Sequence, residues 1–146
     1  MDRNSISVRK ARRSDAERIA FLCGELGYPS TLAQISVRLR RLAPASNHAV
    51  FVAESDEVVG WVDVSVSHLL ESDVRAEVNG LVVAEGQRSA GAGAKLLEAA
   101  EEWARKHGCQ GMNVRSNVIR ERAHKFYERQ GYEHYKTQKA FRKPLK

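Results

Sequence analysis

Apolar residues recur at helical spacing in four segments of the chain, which predicts four amphipathic helices. The first two segments begin at sequences with the spacing of a capping box, Ser14-x-x-Glu17 and Thr31-x-x-Gln34. The third begins at Gly93 and carries several pairs of opposite charge four residues apart on its polar face. Each segment is followed by a residue that ends helices, namely Gly27, Pro44, Gly108 and Gly131.

Apolar and polar residues alternate in most of the segments between these helices, a pattern typical of strands with one buried face. The alternation is clearest over 58–67, where valines alternate with aspartate and serine. It also opens the segment 74–83, where Gly80 interrupts it and three apolar residues follow, which predicts a β-bulge. The remaining predicted strands cover 6–11, 50–54, 112–116 and a final extended segment, 132–143.

The predicted order of elements is β-α-α-β-β-β-α-β-α-β, an α/β fold with a mixed sheet and helices on both faces. A chain of 146 residues suits one compact domain, so we expect a single domain over residues 1–146. No linker, repeat or low-complexity tract interrupts the series of elements.

The composition narrows the class of protein. No apolar run is long enough to span a membrane, and the first residues lack the apolar core of a signal peptide, so a cytoplasmic protein is expected. Cys23 and Cys109 lie in unrelated segments and form neither a CxxC motif nor a zinc-ligand cluster, which favours two reduced, packed thiols and no metal site.

Candidate chemistry is concentrated between Leu81 and Lys106, where a strand passes through a run of small residues into the third helix. Small residues let a ligand approach the backbone closely, and the first turn of a helix offers unpaired N–H donors and a positive dipole end. This predicts a pyrophosphate-binding segment over residues 88–95. A Walker loop is excluded because Lys95 follows alanine, and a dinucleotide-binding fingerprint is excluded because the spacing differs and the motif lies past the middle of the chain.

Read as Arg-x-x-Gly-x-Gly, residues 88, 91 and 93 resemble the acetyl-coenzyme A signature of the N-acetyltransferase (GNAT) superfamily. The order of elements resembles that superfamily over essentially the whole chain, with bacterial aminoalkylphosphonate and aminoglycoside 6'-type N-acetyltransferases as the most similar group. Further matching segments are 26–29, 81–83, 115–118 and 124–132. Many relatives carry glycine where this chain has Ser89, but the backbone donors are kept.

The resemblance implies acetyl transfer from acetyl-CoA to an amine, with the fourth and fifth strands splayed apart around the pantetheine arm. The residues that it places against the coenzyme are Leu81, Val82, Val83, Arg88, Ser89, Ala90, Gly91, Ala92, Gly93, Ala94, Lys95, Asn117 and Tyr127. Backbone N–H groups at 81–83 would polarise the thioester carbonyl. Asn117 is equally consistent with an ordinary helix cap.

Two residues are the expected catalytic groups. Glu77 matches a glutamate that many relatives place on this strand and would accept the proton of the amine, through water or helped by burial. It could instead be a solvated strand residue or hold a cationic substrate, and His68 is the second choice of base. Tyr127 matches the tyrosine that protonates the departing thiolate, although its helical spacing with apolar neighbours also fits a core position.

The acceptor is expected to be a small-molecule primary amine, with a protein N-terminus or a lysine as the alternative. Residues placed to meet it are Glu25, Tyr28, His68, Glu71 and Asp73. The net charge of +6 also allows a basic nucleic-acid-binding module, but no reader motif accompanies the arginines at 38–41 or the basic tail. A coenzyme-binding interaction domain without activity is a further alternative, and a homodimer paired through the last strand is possible.

Overall fold

The computed structural model describes residues 5–42, 46–87, 91–116 and 118–145. The chain forms two compact units, Met1–Val114 and Arg115–Lys146. Among the described residues, the first unit holds a five-stranded sheet and three α-helices, and the second holds one α-helix. A single-domain organisation stays a prediction.

The strands of the first unit are β1 (Ser7–Lys10), β2 (His48–Glu54), β3 (Val58–Ser67), β4 (Arg75–Val83) and β5 (Met112–Val114). They lie side by side in chain order. The first four pair antiparallel, whereas β4 and β5 run parallel, which confirms the predicted mixed sheet.

The helices of the first unit are α1 (Ala16–Leu26), α2 (Leu32–Leu42) and α3 (Ala92–Lys106). Buried residues of α1 and α2 form a core with Val52, Trp61 and Val82 on one face of the sheet. A side chain at Gly60, whose neighbour in the strand is Trp61, would instead meet Leu96 of α3 at 3.1 Å. Since successive strand residues point to opposite faces, α3 covers the other face, as the pattern predicted.

The end of α1 and the start of α2 show how the residues predicted to begin and end these helices behave in the structure. Thr31 and Gln34 form both bonds of the predicted box: the Thr31 N–H donates to Gln34 Oε1 at 2.9 Å, and the Gln34 N–H donates to Thr31 Oγ1 at 3.1 Å. Gly27 follows α1 with φ 100°, a left-handed conformation that suits glycine. Pro44 lies outside the described residues.

The capping box predicted at Ser14 and Glu17 is wrong. A turn of 3-10 helix, Arg13–Asp15, precedes α1, and no side chain caps α1 itself. The backbone N–H of Arg12 donates to the Asp15 carboxylate at 2.7 Å, and the Arg9 guanidinium donates to both oxygens of that carboxylate. The contact with β1 draws the carboxylate away from the helix start.

The second unit contains α4 (Glu121–Arg129), after which Gly131 has φ 92°. The predicted final strand over 132–143 is wrong for the described residues, since 132–145 belong to no helix or strand. Residues 133–145 are all exposed, including Phe141. A strand requires a neighbour for its main-chain hydrogen bonds, and the alternation of side chains does not supply one.

Candidate functional site

The interruption at Gly80 is a bulge, as predicted. Asp63 of β3 lies opposite Gly80, whereas the next residue, Val64, lies opposite Val78, so Asn79 is the extra residue in β4. A Cβ atom at Gly80 would lie 2.9 Å from two ring carbons of Trp61. Glycine is therefore required for the indole to pack against the bulge.

Beyond the bulge, β4 leaves its parallel neighbour. Its pairing with β5 covers only Ala76 to Val78, although β4 continues to Val83. The Ala84 N–H donates to Val59 O at 2.7 Å, on the β3 side. Peptide groups alternate along a strand, so the peptide of Leu81 points to the opposite edge, where the described part of β5 has ended.

The start of α3 leaves main-chain donors without intrahelical partners. Gly91 precedes the helix with φ 85°, and the first intrahelical bond runs from the Lys95 N–H to Gly91 O at 3.1 Å. The N–H groups of the first turn, at Ala92, Gly93 and Ala94, precede that bond, and no described side chain caps them. Together with the helix dipole, they favour an anion. Arg88, Ser89 and Ala90 lie outside the described residues.

Lys95 was predicted to belong to the same segment. Its ammonium group donates to the backbone carbonyl of Ile6 at 2.9 Å, just before β1. The side chain is thus engaged with the N-terminal segment, and the contribution of Lys95 to an anion site stays a prediction.

Glu77 lies in a row of polar side chains that crosses the sheet. Its strand partner on β3 is Ser65, whose own partner on β2 is His48, and Asn113 faces Glu77 from β5. Ser65 and Trp61 are four residues apart on one strand, so the row shares the face that α1 and α2 cover near Trp61. The predicted base is therefore half-buried on a polar part of that face.

A hydrogen-bonded cluster adjoins this row. His48 Nε2 bonds to Asp63 Oδ1, and Asn79 Nδ2 donates to Asp63 Oδ1 at 3.2 Å and to Ser65 Oγ at 3.0 Å. Sequence reasoning did not single out His48 because it placed the start of β2 at Val50. Alternation extended to residue 48 would have been the signal.

Tyr127 lies in the second unit, on α4, and is buried. Its ring makes edge contacts with Phe126 at 5.3 Å and Tyr132 at 6.0 Å between ring centroids. Burial raises the pKa of the phenol, and the positive charge of Arg120 opposes this only in part. The hydroxyl is therefore protonated at neutral pH and makes no hydrogen bond to a described residue. Asn117 lies outside the described residues.

The residues predicted to meet the acceptor are exposed. Glu25 and Tyr28 lie at the end of α1 and just after it, and three others lie around the loop between β3 and β4, His68, Glu71 and Asp73. Asp73 accepts a hydrogen bond from Arg75 Nε at 2.8 Å, so a cationic substrate would compete with that arginine. Their roles stay predictions.

The cysteines take no visible part in this chemistry. Cys23 and Cys109 are free, and burial raises the pKa of both thiols. Raised values disfavour the nucleophilic thiolate at neutral pH. Among the described residues, no group of three or more His, Cys, Asp and Glu side chains could hold a metal ion.

A comparison with protein families matches residues 9–132 to the model of the acetyltransferase (GNAT) family. The chain belongs to that family. The superfamily predicted from the sequence is thereby confirmed, and the expected class, an acetyl-CoA-dependent N-acetyltransferase, agrees with it.

Two relatives extend the comparison. An aminoalkylphosphonate N-acetyltransferase of Salmonella typhimurium is 34% identical over 96 residues, which span 64% of this chain and 62% of that enzyme. An uncharacterized N-acetyltransferase of Bacillus subtilis is 27% identical over 134 residues, 88% of this chain and 90% of the relative.

Solved structures support the acetyltransferase fold. An aminoglycoside N-acetyltransferase in complex with CoA has a TM-score of 0.86 at 19% identity, covering 97% of this chain and 96% of that one. At that identity the likeness establishes the fold alone. Within the described residues, no helix has the length and apolar character needed to cross a bilayer.

Proposed function

We propose that this protein moves the acetyl group of acetyl-CoA to the primary amine of a small molecule, by direct attack of the amine on the thioester. The observation that carries the proposal is the end of strand pairing between β4 and β5 at Val78, in the same unit as a helix start whose first N–H groups have no intrahelical partner. The gap suits an extended pantetheine arm, and the helix start suits a pyrophosphate.

The coenzyme would be held mainly through the backbone. The N–H groups of Ala92, Gly93 and Ala94 would donate to the pyrophosphate oxygens, with residues 88–90 completing the segment. At the other end of the coenzyme, a main-chain N–H group of the segment 81–83 that faces away from β3, such as that of Leu81, would donate to the thioester oxygen as it gains negative charge. Asn117 would hydrogen-bond the pantetheine arm.

Two side chains would transfer the protons of the reaction. The amine must lose a proton before or during attack, and Glu77 would accept it. The tetrahedral intermediate then breaks its carbon–sulfur bond, and Tyr127 would give its hydroxyl proton to the leaving sulfur. The protonated phenol that burial maintains is the form this step requires.

The acceptor is proposed to be small and to carry a primary amine. A relative that is 34% identical over 96 residues is named for aminoalkylphosphonates, and structures of similar fold are named for aminoglycosides. The exposed carboxylates of Glu25 and Glu71 would attract a cationic amine. A protein N-terminus or a lysine side chain is the competing acceptor.

Acetyl-CoA and CoA should each stabilise the protein against heat. A ligand at about 100 times its dissociation constant adds roughly 2.7 kcal/mol to the free energy of unfolding. Thiol release from acetyl-CoA should then depend on one member of a panel holding an aminoalkylphosphonate, an aminoglycoside, a polyamine and a peptide. The absence of a thermal shift with saturating CoA would contradict the proposal, and turnover with the peptide alone would favour the competing acceptor.

Replacing Gly91 by valine should weaken coenzyme binding. Its φ of 85° strains any L side chain, by roughly 1–2 kcal/mol, and more for a β-branched one. The strain falls on the turn that presents the first N–H groups of α3, so we expect at least about a tenfold rise in the dissociation constant of CoA by calorimetry. Gly108 follows α3 with φ 75° and serves as the matched control, because G108V carries the same backbone strain at the other end of the helix. Equal loss of CoA affinity in both variants would contradict the role of Gly91.

A further inference from the structure

The His48–Asp63 pair belongs to a hydrogen-bonded cluster of the first unit that the proposed reaction does not use. The side chains of the two residues are about one-fifth and one-quarter exposed, so water reaches them without surrounding them. No third His, Cys, Asp or Glu among the described residues turns the pair into a metal site.

The bonds of the pair define the state of the imidazole. The Asp63 carboxylate accepts the bond from His48 Nε2 and also accepts one from Asn79. An ionised carboxylate only accepts, so Nε2 donates in this bond and Nδ1 is the ring nitrogen left over for proton exchange. Nδ1 makes no hydrogen bond to a described residue and can exchange protons with water.

The strand register places His48 and the proposed base, Glu77, on either side of Ser65. Ser65 is the strand partner of His48 on one side and of Glu77 on the other. Direct partners in antiparallel strands have Cβ atoms roughly 5 Å apart, so Ser65 is the residue of this row that lies between His48 and Glu77. Asn79 holds that hydroxyl and Asp63 together.

We infer that His48, oriented by Asp63, receives the proton that Glu77 takes from the acceptor amine. The inference rests on the proposed function. An N–H bond of the ammonium breaks as an O–H bond forms at Glu77, and that O–H then breaks as an N–H bond forms at His48 Nδ1, through Ser65 or water. The proton finally leaves to solvent, and no electron pair is gained or lost overall.

The chemistry of the two groups favours this order. An imidazole is in general a stronger base than a carboxylate, so it can take a proton from a carboxylic acid and pass it to water. Of the charged groups on this face, Asp63 bonds to His48 and Glu77 lies beyond Ser65 in the same row, whereas Arg75 lies opposite Ser67 and pairs with Asp73. The carboxylates of Asp63 and Glu77 stabilise the imidazolium that forms, whereas β1 ends opposite Phe51 and places no side chain in register with His48.

The matched variants are H48Q and H107Q. Glutamine at 48 can still donate to Asp63 but holds no exchangeable lone pair, and His107 lies at the far end of α3. With aminoethylphosphonate or whichever amine of the panel reacts, H48Q should lower kcat about tenfold to a hundredfold with an unchanged KM for acetyl-CoA. It should also change the shape of the kcat/KM profile against pH, which the loss of a merely structural side chain would not do. H107Q should match the wild type in both.

Two further measurements separate proton transfer from a structural role. Added imidazole should restore turnover of H48A in proportion to its neutral form, which repacking of the sheet cannot imitate. Nitrogen-15 NMR of the unliganded protein should show His48 protonated at Nε2 and bare at Nδ1. The opposite tautomer, or an active wild type whose H48Q variant keeps its kcat and pH profile, would overturn the inference. A wild type inactive on every amine would overturn the proposed function and this inference with it.

Discussion

Replacing Tyr127 by phenylalanine should lower kcat about 100-fold while leaving the affinity for CoA nearly unchanged. The variant keeps the ring that packs against Phe126 and Tyr132 and loses only the proton that would go to the leaving thiolate. Burial holds the pKa of this phenol above its ordinary value near 10, so the wild-type enzyme should keep the acid form throughout the neutral range. Steady-state kinetics and calorimetry with CoA measure the two quantities.

Tyr135 provides the matched control for the lost hydroxyl. It is exposed, and Y135F should retain wild-type kcat. A Y127F variant that turns over at the wild-type rate would leave Tyr127 as a core residue, the alternative that its helical spacing allowed. A parallel loss of kcat and thermal stability would also favour the core role.

Replacing Asp15 by asparagine should destabilise the first unit by roughly 3–5 kcal/mol at pH 7. The carboxylate is buried, accepts two bonds from Arg9 at 2.8 and 2.9 Å and one from the Arg12 N–H at 2.7 Å. The amide removes the negative charge and leaves the Arg9 guanidinium with the weaker bonds to Glu54, at 3.3 and 3.4 Å, and one to the Lys10 carbonyl at 3.1 Å. Chemical denaturation gives the free energy of unfolding of each variant.

The same pair predicts a pH dependence. Burial alone would raise the pKa of Asp15, but the hydrogen bonds from Arg9 and Arg12 outweigh it and hold the pKa below its ordinary value near 4. A group whose pKa is lower in the folded state contributes stability above its ordinary pKa, and that stability is lost as the pH falls through the folded value. The difference in unfolding free energy between wild type and D15N should therefore be full at pH 7 and shrink below about pH 4.

Glu57 offers the control for the loss of a carboxylate beside an arginine. It pairs with Arg18 at 3.5 Å, but its side chain is 62% exposed. Exposed pairs contribute about 0–1 kcal/mol, so E57Q should change stability little and with little pH dependence. Equal effects of D15N and E57Q would contradict the role assigned to the buried pair.

Local signals predicted the elements whose causes are local. The box of Thr31 and Gln34 and the left-handed Gly27 act within one helical turn, and both form as expected. The box at Ser14 failed because Ser14 lies inside a 3-10 turn, and the residue before α1 is Asp15, whose carboxylate bonds Arg9 on a strand. No helix-start rule includes that contact.

The elements that depend on distant neighbours were harder to predict. Alternation over 132–143 indicated a strand, but a strand also needs an adjacent edge to pair with, and the described residues there form none. The bulge was predictable because glycine breaks the alternation at residue 80. The identity of the extra residue, Asn79, follows only from the register against β3.

The candidate site divides in the same way. The run of small residues before α3 could be recognised in the sequence. Glu77 could be recognised from its place on a predicted strand. The cluster around Asp63 was not, because it joins side chains of three strands whose register is set by the whole sheet. Trp61 packing on Gly80 could have been suspected, since glycine inside a strand often marks a close approach.

The hydrogen bond from the Lys95 ammonium group to the Ile6 carbonyl links the first turn of α3 to the residue just before the edge strand β1. The two residues are 89 positions apart along the chain. That turn is therefore braced before any coenzyme arrives. A braced turn loses little conformational freedom when it closes on a ligand, so less of the binding energy is spent on ordering it. We therefore expect the coenzyme to associate fast and with a modest entropic penalty, because the turn that binds it is already ordered.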